Sequence, residues 1–249
     1  MTLPNPFPAI SQKVIINTQN NTAFKAKRAG KNGTIIAVVL DESGSMQSVK
    51  EPTLNGLNEF IQGQKSASNA GSALVTLVKF DSPDIKTIFE NRDIREVTAL
   101  TEKDYQPNGG TNLLDAIGTT INSVNSYLAT IKKADRPGVI ITILTDGYEN
   151  ASRSFTNTMI KQMVESCEGK DWTFVFLGAN IDAFAAGSQM GFTMQNTVSY
   201  DTSNMQNTMS AVSASTIRSR VDKLSGLSTA EIYSKGIFTK DEIQSMNKK

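Results

Sequence analysis

The sequence predicts an α/β protein: a doubly wound, mostly parallel sheet with one antiparallel edge strand and helices on both faces. Three observations carry that expectation. Thr34 to Leu40, Val139 to Leu144 and Trp172 to Leu177 are continuous apolar runs, as befits strands buried on both faces. Between them lie segments whose apolar residues recur at helical spacing, and strands alternating with helices imply right-handed parallel crossovers. Ala73 to Phe80 and Ile85 to Phe89 instead follow each other closely enough to pair as a hairpin, which supplies the antiparallel member.

The elements read in order as follows. After the first strand, Leu54, Leu57, Phe60 and Ile61 line one face of a helix. The hairpin comes next, then a longer helix with Leu114, Ile117, Ile121, Val124, Leu128 and Ile131 at steps of three and four. The strand ending at Leu144 leads to a helix carrying Met159, Ile160, Met163 and Val164. Beyond the strand at Trp172 to Leu177 come a helix near Asp182 to Met190 and a short strand near Thr197 to Tyr200. A helix over residues 201–224 presents Met205, Met209 and Val212, a stripe suited to packing on the sheet or to a promiscuous groove. Ala230 to Tyr233 suggests a short helix, Gly236 a stop, and Thr239 with Glu242 a capping box opening a last helix.

Length and composition set the frame. The 249 residues, 39% of them hydrophobic, suit one domain with decorated ends: an arm over 1–33, a main domain over 34–224 and a short helical tail over 225–249. Net charge is +1, so neither nucleic acid nor a membrane surface is an expected partner. The basic residues Lys25, Lys27, Arg28 and Lys31 lack interleaved aromatics and read as a solvated arm. No run approaches the roughly 20 apolar residues of a membrane span, and no leader is recognisable, so a cytoplasmic protein, or one built into a virion or other assembly, is expected. With no histidine and a single cysteine, Cys167, the chain has no imidazole acid–base chemistry, no Ser–His–Asp hydrolysis and no intrachain disulfide. No catalytic residue and no organic cofactor site is expected.

Three short stretches converge where a doubly wound sheet places its carboxyl-edge loops. They are Asp41-Glu42-Ser43-Gly44-Ser45 after the first strand, Gly109-Gly110-Thr111-Asn112 before the long helix, and Thr145-Asp146-Gly147 after the later strand. They supply carboxylates and hydroxyls, hard oxygen donors suited to Mg²⁺ or Mn²⁺. If the first loop is locally extended, residues 41, 43 and 45 project to one side and share an ion, with Gly44 permitting the turn and Gly109 and Gly110 a close backbone approach. Ser and Asp are also good N-cap residues, so capping of helices and turns is the plainer alternative.

Leu40 to Met46, Gly109 to Thr111 and Thr145 to Gly147 resemble the metal-ion-dependent adhesion site of von Willebrand factor type A (VWA) domains, in order and in spacing. The resemblance covers roughly residues 34–221 and implies the Rossmann-like VWA fold. It implies that Ser43 and Ser45 bind the metal through their hydroxyls, that Thr111 binds directly when a ligand is engaged, and that Asp41 and Asp146 act largely through water. It further implies a protein partner that presents an Asp or Glu carboxylate to the ion, and an adaptor or assembly subunit rather than an enzyme. Two alternatives stand beside it: a structural component of a phage or secretion assembly with little metal dependence, or an accessory subunit of a ring-forming ATPase. The tail, Ile232 to Ile243, is similar to short C-terminal helical modules of bacterial proteins, which implies self-association or docking, with packing on the main domain as the alternative. Tyr148 and Glu149 follow the third loop and are candidates for shaping partner choice or for ordinary surface positions.

Overall fold

The computed structural model describes residues 15–16, 29–168 and 171–248. Of the four basic arm residues, Lys25, Lys27 and Arg28 lie outside the described residues, and Lys31 is exposed. Among the described residues, seven strands form one sheet in the order β1-β4-β3-β2-β5-β6-β7. They are β1 (Ile15–Ile16), β2 (Thr34–Asp41), β3 (Ala73–Phe80), β4 (Ile85–Asp93), β5 (Gly138–Thr145), β6 (Trp172–Gly178) and β7 (Thr197–Ser199). The helices are α1 (Lys50–Ser66), α2 (Leu113–Ala129), α3 (Asn157–Glu168), α4 (Ala183–Gln189), α5 (Met205–Leu224), α6 (Thr229–Lys235) and α7 (Lys240–Met246).

Every pairing from β3 through β2, β5 and β6 to β7 is parallel, and β4 runs antiparallel to β3. The hairpin expectation therefore holds, with one addition from the arm: the two residues of β1 lie alongside β4, parallel to it, outside that edge. All residues of β2, β3, β5 and β6 are buried, which accounts for their mainly apolar sequences.

Alternation along β2 divides the core. Ile35, Ala37 and Val39 face a layer with α2 and α3 that holds Ile117, Ile121, Val124, Ile160 and Met163. Ile36, Val38 and Leu40 face the other layer, with Leu57, Phe60 and Ile61 of α1 and Met205, Met209 and Val212 of α5. The methionine stripe is thus interior packing. It comes so close to α1 that a Cβ on Gly56 would stand 2.6 Å from the Met209 Cβ, so the α1–α5 contact depends on glycine at that turn. The tail joins the same layer: Ile237, Phe238 and Met246 are buried in it. Gly236 ends α6 at φ +75°, and Thr239 and Glu242 form the expected capping box on α7.

The sheet order reverses at β2, whose neighbours are β3 on one side and β5 on the other. There α1 leaves β2 for one face and α2 enters β5 from the other, the arrangement that places ligand sites at the carboxyl ends of the strands in open α/β sheets.

Candidate metal centre

Asp41 ends β2 and Thr145 ends β5, and the register pairs Leu40 with Leu144, so the two strands deliver their last residues side by side. The Ser43 N–H donates to Asp41 Oδ1 at 2.7 Å, and the Thr145 hydroxyl donates to Asp41 Oδ2 at 2.5 Å. The Tyr105 hydroxyl holds the Asp41 main-chain carbonyl at 2.7 Å. Both the position and the orientation of the Asp41 carboxylate are therefore fixed before any ligand arrives.

The loop after β2 is extended only as far as Ser43, whose φ is −65° and ψ 163°; Gly44–Val49 then coil as a 3₁₀ helix. An extended loop does not explain the convergence of the serines, as the alternation argument expected. The tight 3₁₀ turn does, leaving Ser43 Oγ and Ser45 Oγ 3.1 Å apart. Gly44 is not required for a tight turn: its φ is not positive, and a Cβ there would meet nothing nearer than 3.5 Å. Its N–H instead donates to the Gly109 carbonyl at 3.1 Å, tying the first loop to the second. Glycine is required at 109, where φ is +68° and a Cβ would lie 2.4 Å from the Ser82 carbonyl oxygen. The Gly109 backbone thus packs closely on Ser82 while bonding the first loop through Gly44.

The third loop completes the ring. Ser45 Oγ donates to Asp146 Oδ1 at 2.5 Å. A Cβ on Gly147 would stand 3.4 Å from Thr111 Oγ1 and 3.7 Å from Ser45 Oγ, so both hydroxyls border this glycine. The Thr111 carbonyl accepts from the Asn150 and Ala151 N–H groups at 3.0 and 3.2 Å. All five expected residues, Asp41, Ser43, Ser45, Thr111 and Asp146, thus stand at one place on the carboxyl edge.

Two further carboxylates support the site, and one of them, Asp115, was not singled out from the sequence. Asp115, at 2% exposure, accepts from the N–H groups of Arg153, Ser154 and Phe155, each at 2.9 Å. Glu149 accepts from Leu114 N–H at 2.9 Å and from Ala151 and Ser152 N–H at 2.9 and 2.7 Å. These two carboxylates clamp the third loop to the start of α2, so Glu149 fastens the site. An acidic residue in a helix's first turn is a readable signal, whereas nothing in the sequence marks Tyr105 or Thr145 as partners of Asp41. Tyr148 differs from Glu149: it is 60% exposed, and its hydroxyl accepts from the Asp182 N–H at 3.1 Å.

The electrostatics are unbalanced. Asp41 is 0% exposed and Asp146 5%, and neither joins an ion pair among the described residues. Burial pushes the Asp41 carboxyl up from 3.8 to about 6, against the pull of the Ser43 and Thr145 hydrogen bonds, and nearby Asp146 adds to the rise. Burial raises Asp146 as well, with the Ser45 bond opposing. Neighbouring Glu42 is also buried, but Lys79 pairs with it at 2.7 Å. Among the described residues no three His, Cys, Asp or Glu side chains gather as a possible metal site, so a metal here would rest on hydroxyls together with two carboxylates. Such a donor set, holding two buried negative charges and no cation, fits a hard divalent ion.

No known family matches the sequence, and no curated protein is similar to it. The fold is that of VWA domains, as solved structures show. The pilus adhesin SpaC of Lactobacillus rhamnosus GG, in an open conformation, is similar over 77% of this chain and 30% of its own, with TM-score 0.59 and 13% identity. Proximal thread matrix protein 1 of the mussel byssus, in a structure with a zinc-occupied MIDAS motif, is similar over 77% of this chain and 48% of its own, with TM-score 0.53 and 14% identity. The SpRpn10 VWA domain is similar over 70% of this chain and 94% of its own, with TM-score 0.51 and 9% identity. The chain spans about half or less of the byssus protein and of the adhesin. No helix among the described residues is long and apolar enough to cross a membrane.

Proposed function

We propose that the chain is a divalent-metal-dependent protein-binding module, an adaptor or assembly subunit without catalysis of its own, that takes a carboxylate of a partner protein at the carboxyl-edge site. One observation carries this reading: three hydroxyls and two buried carboxylates converge there, and no Lys or Arg among the described residues pairs with either carboxylate. In this reading Ser43, Ser45 and Thr111 hold Mg²⁺ or Mn²⁺ through neutral hydroxyls, and Asp41 and Asp146 orient those hydroxyls and bound water from behind. Because the direct protein ligands are neutral, the bound ion would retain the electrophilicity to accept an Asp or Glu side chain at an open position. The mussel structure with zinc in its MIDAS motif supports a divalent ion in a site of this fold. The absence of histidine and of any further carboxylate among the five residues supports recognition rather than hydrolysis.

The test has two arms. Calorimetric titration of the metal-free chain with Mg²⁺ and Mn²⁺ is expected to show one site, lost in Asp41→Asn. Capture from the lysate of the native host, with Mg²⁺ and with EDTA in parallel, is expected to retain a partner only with Mg²⁺. The same partners in both lanes, or a titration unaffected by Asp41→Asn, would overturn the reading.

A further inference from the structure

The sheet ends at β7, a strand of three residues, and a cavity of about 420 Å³ lies along it. All of Thr197, Val198 and Ser199 line the cavity, with α4 contributing Phe184 to one wall and the tail contributing Phe238 and Ile243 to the other. Its volume is in the range of ordinary ligand sites. Its surface is unusual for this molecule. Of the five large hydrophobic side chains exposed among the described residues, three face this groove: Phe184 at 45%, Met194 at 72% and Ile243 at 41%. Clustered exposed apolar side chains mark an interaction site where scattered ones do not.

The outer edge of β7 is also partly open backbone. The Tyr200 N–H donates to the Gly178 carbonyl of β6, so by alternation the main-chain groups of Thr197 and Ser199 point away from the sheet. The Thr197 N–H is taken by the Met194 carbonyl and the Ser199 carbonyl by the Asn247 side chain at 2.8 Å. The Thr197 carbonyl and the Ser199 N–H remain, without a partner among the described residues. One acceptor and one donor, two residues apart on an unpaired edge, are the groups an added strand would engage.

Charge points to the occupant. Lys235 is the one charged residue lining the groove, and it is exposed. Glu231, four residues earlier on α6, feels the Lys235 charge, but its Oε2 is engaged by Ser228 through both N–H and hydroxyl. The wall that carries Lys235 is held by the α7 capping box and by the Arg218–Glu242 pair at 2.7 Å, so the groove is formed in advance.

We propose that this groove is a second docking site, which takes an extended segment of a partner protein with alternating apolar and acidic residues. The segment adds to β7 as a strand, its apolar side chains lie among Phe184, Met194 and Ile243, and a carboxylate meets Lys235. None of the five carboxyl-edge residues lines the groove, and strand addition there needs no metal.

The test uses the full chain and three fluorescent decapeptides, read by anisotropy in Mg²⁺ and in EDTA. One peptide alternates valine with aspartate, the second has lysine for aspartate, and the third carries a proline at its centre. The aspartate peptide is expected to bind saturably and equally in both buffers, with the lysine and proline peptides at least tenfold weaker. Lys235→Glu is expected to reverse the charge preference, and Met194→Asp to abolish binding while Mg²⁺ titration stays as in the parent chain. Metal insensitivity separates this outcome from that of the carboxyl-edge reading. No saturable binding, equal binding of the lysine peptide, or binding untouched by Met194→Asp would overturn the proposal. So would a concentration-dependent dimer in sedimentation that Met194→Asp dissolves, which would assign the face to a second copy.

Discussion

Asp41 and Glu42 are adjacent in the chain, equally hidden from water, and opposite in kind. Glu42 is completed from within: Lys79 reaches it from β3, and the Gln106 N–H donates to the same oxygen. Lys79 in turn donates to the Asp104 carbonyl at 2.7 Å. Asp41 receives only neutral donors, and the next nearest charge that acts on it is another carboxylate, Asp146. A buried carboxylate with its own cation is scaffolding. A pair of them without one stores a cost that an arriving cation removes, and that is the physical difference between a fastening and a binding site.

Breaking the complete side of this comparison is expected to have the largest effect. Lys79→Met leaves the buried Glu42 side chain without its cation, and denaturant unfolding is expected to show a loss of about 3–5 kcal/mol. Mg²⁺ is not expected to restore it. On the open side the sign reverses. Asp41→Asn keeps an acceptor for the Ser43 N–H and deletes the uncompensated charge, so the metal-free variant is expected to be more stable than the parent at pH 7, by roughly 2–3 kcal/mol. The same variant is expected to lose all stabilisation by Mg²⁺ or Mn²⁺. An Asp41→Asn chain less stable than the parent in EDTA would show that the carboxylate is already balanced.

Acid titration sharpens the same point. Because the folded-state value of Asp41 rises from 3.8 to about 6, its contribution favours folding at pH below 3.8 and is lost as pH rises through about 6. Thermal unfolding in EDTA is therefore expected to occur at a higher temperature at pH 5 than at pH 7. Asp41→Asn removes most of that difference. A smaller loss is expected of Gly109→Ala, which forces a Cβ against the Ser82 carbonyl at positive φ and is expected to cost about 1–3 kcal/mol, together with a fall in metal affinity.

How much of this was legible in the sequence depends on the reach of each interaction. The strands follow from mainly apolar runs such as Val139 to Leu144, because a strand covered on both faces favours apolar side chains. The five site residues follow from their loops, since each loop begins where a buried strand or a glycine pair ends. The fastening of the third loop was not legible. Asp115 reaches Arg153 to Phe155 across about forty positions, and only the packing of α2 on the sheet brings them together. Nor does local pattern explain the serine pair, whose 3₁₀ geometry is set by the helix that follows. The groove at β7 combines four segments distant in sequence, and a single exposed methionine at 194 carries no such message by itself.

The smallest expected effect tests the tail wall of that groove. Arg218 donates to both oxygens of Glu242, at 2.9 and 2.7 Å, and to the Ile237 carbonyl at 3.0 Å, so one guanidinium spans α5, the turn after α6 and the capping box of α7. Burial acts to raise the Glu242 carboxyl, but Arg218 and the Thr239 N–H outweigh it and hold it below its ordinary 4.5. A depressed value favours folding above 4.5, and that contribution is lost as pH falls through the folded-state value. Arg218 is 44% exposed, so water screens much of the attraction, and Arg218→Met is expected to cost only about 0.5–1 kcal/mol of global stability. Locally the consequence is sharper, because Arg218 is the side chain that ties α5 to the capping box. Hydrogen exchange is expected to show faster opening of Lys240–Met246 in Arg218→Met at pH 7, with the amides of β5 unchanged. If the tail amides exchange at the parent rate, the wall is held without Arg218, by the burial of Ile237, Phe238 and Met246 and by bonds such as that from Asn207 to the Ser245 carbonyl.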